Sequence, residues 1–208
     1  MSKSKSNAKS KSQIAAIIGI FTALIVVLQM ISYFWKIGTF SITLTLVPIV
    51  VAGVKYGPKY STFLGAMFGI VTIVGCITGF DEGGHILFQT NPFYIVILCM
   101  SKAILCGLSA GLIGTYLRKK HLKTAVISTA LATPIVNTGI FILMAFLLYK
   151  DTLYEWGADW AAKNNTDFNI TMYIILVIVG INFIIEMALN TVLSPVIYRV
   201  LKSIKRFD

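Results

Sequence analysis

Charged residues are scarce in this chain: Asp, Glu, Lys and Arg make up 12% of its 208 residues, whereas hydrophobic residues make up 57%. A soluble globular domain carries roughly 25% charged residues, so the composition excludes that class. Acidic residues are rarest, at eight against 18 basic ones. Such a basic excess would suggest nucleic-acid binding in a soluble protein, but here the Lys and Arg residues lie in short loops beside apolar segments, where they set membrane topology. The sequence therefore predicts a membrane protein that binds the lipid bilayer and no nucleic acid.

Residues that commonly carry catalysis or bind metals are also few. The chain has two histidines, and its three cysteines (Cys76, Cys99 and Cys106) lie in or at the end of apolar segments without zinc-ligand spacing. It has no G-x-x-x-x-G-K-[ST] phosphate loop and no chain of intramembrane carboxylates like those of proton-driven pumps. Nor does it show the repeated halves of many secondary transporters. We therefore expect no metal, no cofactor and no energy source within this chain.

Long apolar segments dominate the rest of the sequence. A bilayer core of about 30 Å needs about 20 apolar residues in a helix. Segments of that kind lie near 13–34, 59–79, 92–117, 124–149 and 170–198. The first is too long for a secretory signal and lacks a cleavage site, so we expect it to be retained. A shorter segment near 41–54, which contains Pro48, is predicted to form a short or kinked second span. The expected fold class is an all-α integral membrane protein with six transmembrane helices.

The charge distribution supports the even number of spans. Six spans place 14 of the 18 basic residues on one side of the membrane and six of the eight acidic residues on the other, whereas five or seven spans would destroy this separation. By the positive-inside rule, both termini are then cytoplasmic and the chain is a multi-pass protein of the cell membrane. Residues 1–12 are predicted to form a disordered basic tail, and residues 13–206 a single six-helix membrane domain.

Among the polar residues of the predicted spans, four are candidates for function: Lys102, Asn137, Asn182 and Glu186. An ionisable residue at mid-bilayer costs about 2.5–3.5 kcal/mol, so such residues are functional candidates. A helical rise of about 1.5 Å per residue places all four at similar depths in the outer half of the membrane. Asn182, Glu186 and Asn190 recur every four residues and so share one helix face. This pattern indicates interhelical polar contacts, including a Lys102–Glu186 pair, or a solute pocket, and the two are compatible.

Small residues recur at four-residue spacing in three spans, where they allow close helix approach. Those of the third and fourth spans predict packing within the bundle. Those of the first span are equally consistent with packing and with docking onto another membrane protein. The sets are Ala15, Gly19 and Ala23 in the first span, Gly65 and Gly69 in the third, and Ala103, Gly107 and Gly111 in the fourth.

Residues 107–111 also satisfy the G-x-S-x-G pattern, with Ser109 at its centre. A nucleophilic serine needs a positioned base. The two histidines, His85 and His121, lie in loops on opposite predicted sides, and Lys102 is seven residues away, or about 10 Å along the helix. An intramembrane serine hydrolase is therefore a weaker interpretation than a solute-binding protein, and so is a non-transport scaffolding membrane protein. No catalytic residue is assigned.

The predicted outer loops are rich in aromatic and small polar residues. KIGTFSITL and NPFY have a composition suited to stacking against a small polar ring, although an interfacial aromatic belt has the same composition. Trp156 and Trp160, four residues apart in the predicted loop 150–169, are typical of an interfacial helix.

In their order along the chain, these features resemble the membrane-embedded substrate-binding (S) components of energy-coupling factor (ECF) vitamin transporters. The resemblance covers nearly the whole chain. It is carried by the small-residue face of the first span, by GVKYGPKY, by NPFYIVILCMSKAILCGLSAGLIG, by PIVNTGIF and by NFIIEMALNTVLSPVIYRVL.

The resemblance implies capture of a vitamin-like small molecule, with ATP-driven uptake through a transmembrane coupling (T) subunit and two cytoplasmic ATPase subunits. Ala15, Gly19 and Ala23 match the family's docking face for the coupling subunit. Riboflavin-binding members are similar in having asparagines in helices five and six. They differ in having a basic residue near the position of Glu186. The implied solute is therefore either pantothenate-like or riboflavin-like. The implied solute-binding residues are Trp35, Phe40, Asn91, Lys102, Asn137, Asn182 and Glu186.

Overall fold

A computed structural model of the chain describes residues 11–34, 36–37, 40–41 and 43–206. Their regular secondary structure is helical apart from one antiparallel ladder, in which Lys36 pairs with Ser41 and Ile37 with Phe40. The elements are α1 Lys11–Phe34, β1 Lys36–Ile37, β2 Phe40–Ser41, α2 Leu46–Tyr56, α3 Pro58–Thr78, α4 Glu82–Thr90, α5 Pro92–Arg118, α6 Leu122–Leu148, α7 Lys150–Lys163, α8 Ile170–Tyr173, a π-helical segment Ile174–Val179 and α9 Gly180–Arg206.

Each predicted span coincides with helical structure. Among the described residues, α1, α3, α5 and α6 are long and apolar enough to cross a membrane, and α2 is a shorter apolar helix. The sixth predicted span is divided between α8, the π-helical segment and α9. The chain is thus helical with at least four candidate spans, and the count of six stays a prediction. The predicted tail 1–12 lies outside the described residues except for its last two, which begin α1.

The boundaries of the second and third helices follow from one dipeptide. Gly57 adopts a φ of 89°, which favours glycine, and its N–H donates to the carbonyls of Ala52 and Gly53, ending α2. Pro58 then starts α3, because a first-turn proline has a suitable φ and needs no hydrogen-bond acceptor. The short second helix therefore ends in a tight turn.

One helix was not predicted. The loop expected at 80–91 contains α4, whose first turn is capped by the Asp81 carboxylate, an acceptor for the Gly84 N–H at 3.1 Å. Leu87 anchors this helix in the core with 1% of its surface exposed. By contrast, the helix predicted from Trp156 and Trp160 is present as α7, and its position at the membrane interface stays a prediction.

Helices α3 and α5 pack closely through their small residues. A Cβ atom at Gly65 would clash with the Ala103 carbonyl oxygen, and one at Gly107 would clash with the Ser61 carbonyl oxygen. A Cβ at Gly53 of α2 would lie 2.7 Å from the backbone of Ala110. The packing role predicted for the glycines of the third and fourth spans is confirmed.

The two ends of the bundle differ in charge. At one end Arg118 donates to the carbonyls of Val54 and Lys55, at 3.0 and 2.6 Å, joining the ends of α5 and α2. Lys123 of α6 and Tyr198 of α9 line one small cavity at the same end, so these two helices also reach it. The opposite end carries α4 and α7 with their acidic residues. Among the described residues, the basic loops at 55–59 and 118–123 and the last turns of α9 thus lie at one end, and residues 1–10 of the basic N-terminal tail lie outside the described residues.

Candidate functional site

Polar residues from three helices lie at one level of the bundle. The Cys106 thiol of α5 contacts the Thr133 carbonyl of α6 at 3.6 Å. Because α5 and α6 are antiparallel, Lys102, four residues before Cys106, lies level with Asn137, four residues after Thr133. Val126 of α6 and Pro195 of α9 line one cavity. Helix α9 also runs antiparallel to α6. Asn137, eleven residues after Val126, therefore lies within one turn of Glu186, which is nine residues before Pro195. We call Lys102, Asn137 and Glu186 the polar layer.

Lys102 and Glu186 have different partners within this layer. The Lys102 ammonium lies 5.1 Å from the centroid of the Phe141 ring, a cation–π contact. No carboxylate among the described residues is within salt-bridge distance of it. Glu186 is 5% exposed, and its Oε1 accepts the Thr43 N–H at 2.8 Å. The Lys102–Glu186 pair that the sequence suggests is therefore not a salt bridge in the structure.

The connection between α1 and α2 is held over the polar layer by hydrogen bonds. Besides the contact of Thr43 with Glu186, the Leu44 N–H donates to Ser32 Oγ at 3.2 Å, and Thr45 Oγ1 donates to Gln29 Oε1 at 3.4 Å. This first connection is thus fixed to α1 on one side and to α9 on the other. Displacing it would break contacts with both helices.

Sequence reasoning missed the α1 side of this arrangement. Gln29 and Ser32 are 4% and 0% exposed, and they were not singled out. A signal was present, because two polar residues three positions apart interrupt the first apolar span on one helix face. Thr43 left no such signal, since a backbone N–H donor is independent of residue type.

A seam of buried polar side chains continues from the layer between α6 and α9, with members spaced four residues apart on each helix. Within the described residues, three of its oxygen atoms have no hydrogen-bond partner: Asn137 Oδ1, Asn190 Oδ1 and Thr129 Oγ1. A buried unpaired polar atom costs about 1–3 kcal/mol, so such atoms usually meet water or a ligand. The seam comprises Thr129, Thr133 and Asn137 of α6 with Glu186, Asn190 and Ser194 of α9.

The other predicted solute-binding residues are placed differently. Asn91 lies outside the polar layer, at the start of α5. Phe40 is in β2 and Asn182 in α9, but their side chains are outside the described part of the structure. Trp35 lies outside the described residues altogether. Solute contact by these four residues, as by Lys102, Asn137 and Glu186, therefore stays a prediction.

Asn91 has a capping role in the structure. Its Oδ1 accepts the N–H groups of Phe93 and Tyr94 at 3.1 and 3.2 Å. We expect Asn91→Ala to lower the free energy of unfolding by about 1 kcal/mol, the usual value of an N-cap. Thermal unfolding in detergent measures this effect. Asn91→Asp keeps the acceptor and should unfold like the parent, so an equally destabilised aspartate variant would contradict the capping role.

The G-x-S-x-G pattern is explained by packing. Ser109 Oγ donates to the Cys106 carbonyl of its own helix at 2.8 Å, and Gly107 and Gly111 lie against α3. His85 contacts the Cys76 carbonyl near the acidic end, while His121 is exposed at the basic end. Among the described residues, no imidazole is therefore placed beside Ser109.

The small-residue face of α1 is open. Ala15, Gly19 and Ala23 are all exposed, and a Cβ atom at Gly19 would meet nothing within 4 Å. This differs from Gly65, Gly69, Gly107 and Gly111, each of which has a backbone neighbour from the facing helix. The face is therefore available to a partner in the membrane.

Comparison with known proteins agrees with this architecture. A family model described as the ECF transporter substrate-specific component matches residues 14–198, from the first turn of α1 into α9. No curated protein matches the chain closely enough to be counted as a relative. Since the family model covers most of the sequence, the chain belongs to the substrate-specific components of ECF transporters, which are transport subunits of the membrane and not enzymes.

Proposed function

We propose that this chain captures a vitamin or related micronutrient at the outer face of the cell membrane for ATP-driven uptake. The observation that supports this proposal is the polar layer, in which Asn137 and Glu186, each 5% exposed, come from two different helices beneath the connection from α1 to α2. Buried polar groups that converge from several elements are typical of a small-molecule site. Energy would come from the transmembrane coupling subunit and two cytoplasmic ATPase subunits.

The charge distribution supports the orientation that this function requires. The basic end of the bundle would face the cytoplasm under the positive-inside rule, with both termini there and with six spans. The polar layer then lies in the outer half of the membrane, because Lys102 is ten residues, or about 15 Å, from the outer end of α5. A solute would enter from outside, past the connection that Thr43 ties to Glu186.

The chemistry of the layer narrows the class of solute. Asn137 Oδ1 is a buried acceptor without a partner, so it fits a donor on the solute. The Lys102 ammonium offers donors to a carboxylate or carbonyl group. Pantothenate-like and riboflavin-like molecules both combine donors with such groups. Asn182 would contribute one turn outward from Glu186, with Trp35, Phe40 and Asn91 nearer the entrance.

The proposal is tested by native mass spectrometry of the purified chain, followed by identification of any co-eluting small molecule. We expect a vitamin-like compound in the parent protein and a loss of its retention in Asn182→Ala. Ser109→Ala, which removes a hydroxyl that bonds only its own helix carbonyl in the described structure, serves as the matched control. A parent protein with no retained molecule and no affinity for any vitamin would contradict the proposal.

The open face of α1 would dock onto the coupling subunit. We expect Gly19→Leu to reduce vitamin uptake by cells at least about tenfold, since a leucine prevents the close helix approach that small residues permit. Solute binding by the purified chain should not change. Gly139→Leu is the control, because Gly139 of α6 also has nothing within 4 Å of its Cβ position. Equal uptake by the two variants would rule out docking at Gly19.

A further inference from the structure

A cavity of about 270 Å³ lies at the acidic end of the molecule, where α7 covers α4 and the start of the last helical region. Its walls include Trp156 and Trp160 of α7 together with Tyr173 of α8. Asp159 and Lys163 lie at its exposed rim. We call this cavity the aromatic pocket.

The aromatic pocket is separate from the polar layer. Its innermost residue along the last helical region is Val177, which precedes Glu186 by nine residues, or about 14 Å of helical rise. None of Lys102, Asn137 and Glu186 lines it. A ligand of this pocket would therefore leave the polar layer free for its own solute.

The aromatic rings are held in place by close packing of α7. A Cβ atom at Gly157 would lie 2.7 Å from the Phe168 ring and 3.3 Å from the Tyr173 ring, so only glycine lets the helix approach this closely. The Trp160 and Tyr173 rings are 6.0 Å apart between centroids, at 49° to each other. Trp156 is one turn away on the same face of α7. Inclined aromatic faces of this kind are suited to a cationic group.

The rim carries one charge of each sign. Asp159 and Lys163 are four residues apart on α7, which places their side chains on the same face, about 5–6 Å apart at Cβ. A cation held against the ring faces would be attracted by the Asp159 carboxylate. Lys163 would then pair with an anionic group on the same ligand. The rim thus matches a molecule with both charges close together.

We infer that the aromatic pocket binds a compact zwitterion with a quaternary or protonated amine and a carboxylate, of the betaine or amino-acid class. The amine would lie among Trp156, Trp160 and Tyr173, near Asp159, and the carboxylate would face Lys163. The ring contacts would be worth about 0.5–2 kcal/mol each, which gives weak, readily reversible binding. The site is independent of the vitamin proposed for the polar layer.

Tryptophan fluorescence of the purified full-length chain tests this inference, since two of its three tryptophans line the pocket. Titration with trimethylglycine should give a saturable change. Its carbon isostere 3,3-dimethylbutanoate, in which an uncharged quaternary carbon replaces the nitrogen, should bind at least about fivefold more weakly because it lacks the cation. Tetramethylammonium, which lacks the carboxylate, should also bind more weakly than trimethylglycine.

Single substitutions distinguish a specific binding site for a zwitterion from nonspecific binding to an apolar surface. Asp159→Asn and Lys163→Gln should each weaken trimethylglycine binding about fivefold or more, and Trp160→Leu should abolish it. Glu155→Gln, on α7 but outside the pocket lining, is the matched control and should bind like the parent. No saturable change, equal binding of 3,3-dimethylbutanoate, or no effect of Asp159→Asn would each overturn the inference. Retention of the vitamin is measured in parallel and should not depend on these variants.

Discussion

Glu186→Ala is expected to abolish retention of the solute by the purified chain. The carboxylate is almost completely buried and accepts the Thr43 N–H at 2.8 Å, so its removal takes away both a proposed solute acceptor and the tie to the first connection. A hydrogen bond to a charged group is worth about 1.5–3 kcal/mol, so one lost solute contact weakens binding roughly 10- to 150-fold. Isothermal titration with the solute identified by mass spectrometry measures the change.

Glu186→Gln distinguishes the two roles of this residue. A glutamine keeps an oxygen acceptor for the Thr43 N–H but carries no charge, so protein stability should stay near that of the parent. Solute affinity should still fall if the charge contacts the solute. Glu155→Gln, an exposed change on α7, is the control and should bind normally. If Glu186→Ala bound the solute like the parent, the assignment of Glu186 to the pocket would be wrong.

Gly107→Val in α5 is expected to destabilise the protein strongly. Any side chain at this position clashes with the Ser61 carbonyl oxygen of α3, and a backbone atom cannot rotate away as a side chain can. Overpacking typically costs about 1–3 kcal/mol, and the rigidity of this contact places the expected loss at the upper end. Thermal unfolding in detergent and size-exclusion profiles would report it.

Gly139→Ala provides the comparison for this effect. Gly139 has nothing within 4 Å of its Cβ position, so alanine there should keep or slightly raise stability through its better helix propensity. Alanine and valine both have better helix propensity than glycine, so a loss of stability at Gly107 would come from packing. A Gly107→Val protein that stays monodisperse with an unchanged midpoint would show that α3 and α5 are not in close contact there.

Regular patterns were predictable from the sequence, and local exceptions were not. The apolar segments predicted helices at every proposed span, because an apolar stretch of about 20 residues has no other stable form in a bilayer. Helix α4 was missed because it has only nine residues and its cap is a single aspartate within a polar stretch. The π-helical segment Ile174–Val179 was also missed, since its apolar residues read as ordinary helix.

The candidate site was predictable only in part. Lys102, Asn137 and Glu186 were found because polar residues in apolar spans are costly and therefore conspicuous. Their partners were not predictable: Lys102 faces the Phe141 ring, and Glu186 accepts from a backbone N–H 143 positions away in the chain. Partner choice depends on distances between helices, which no periodicity within one helix contains.

The sequence by itself determined the membrane class, most of the helical segments and the family resemblance. The family match confirms that resemblance. These properties depend on composition and on spacing within single helices, so a linear pattern is enough. The tertiary structure decided which small-residue faces are filled and which is open, and that the first connection is tied to α9. It also decided that Trp156 and Trp160 of α7 and Tyr173 of α8 line one open cavity. Each of these depends on how separate helices meet, and close packing fixes that only when the whole chain is folded.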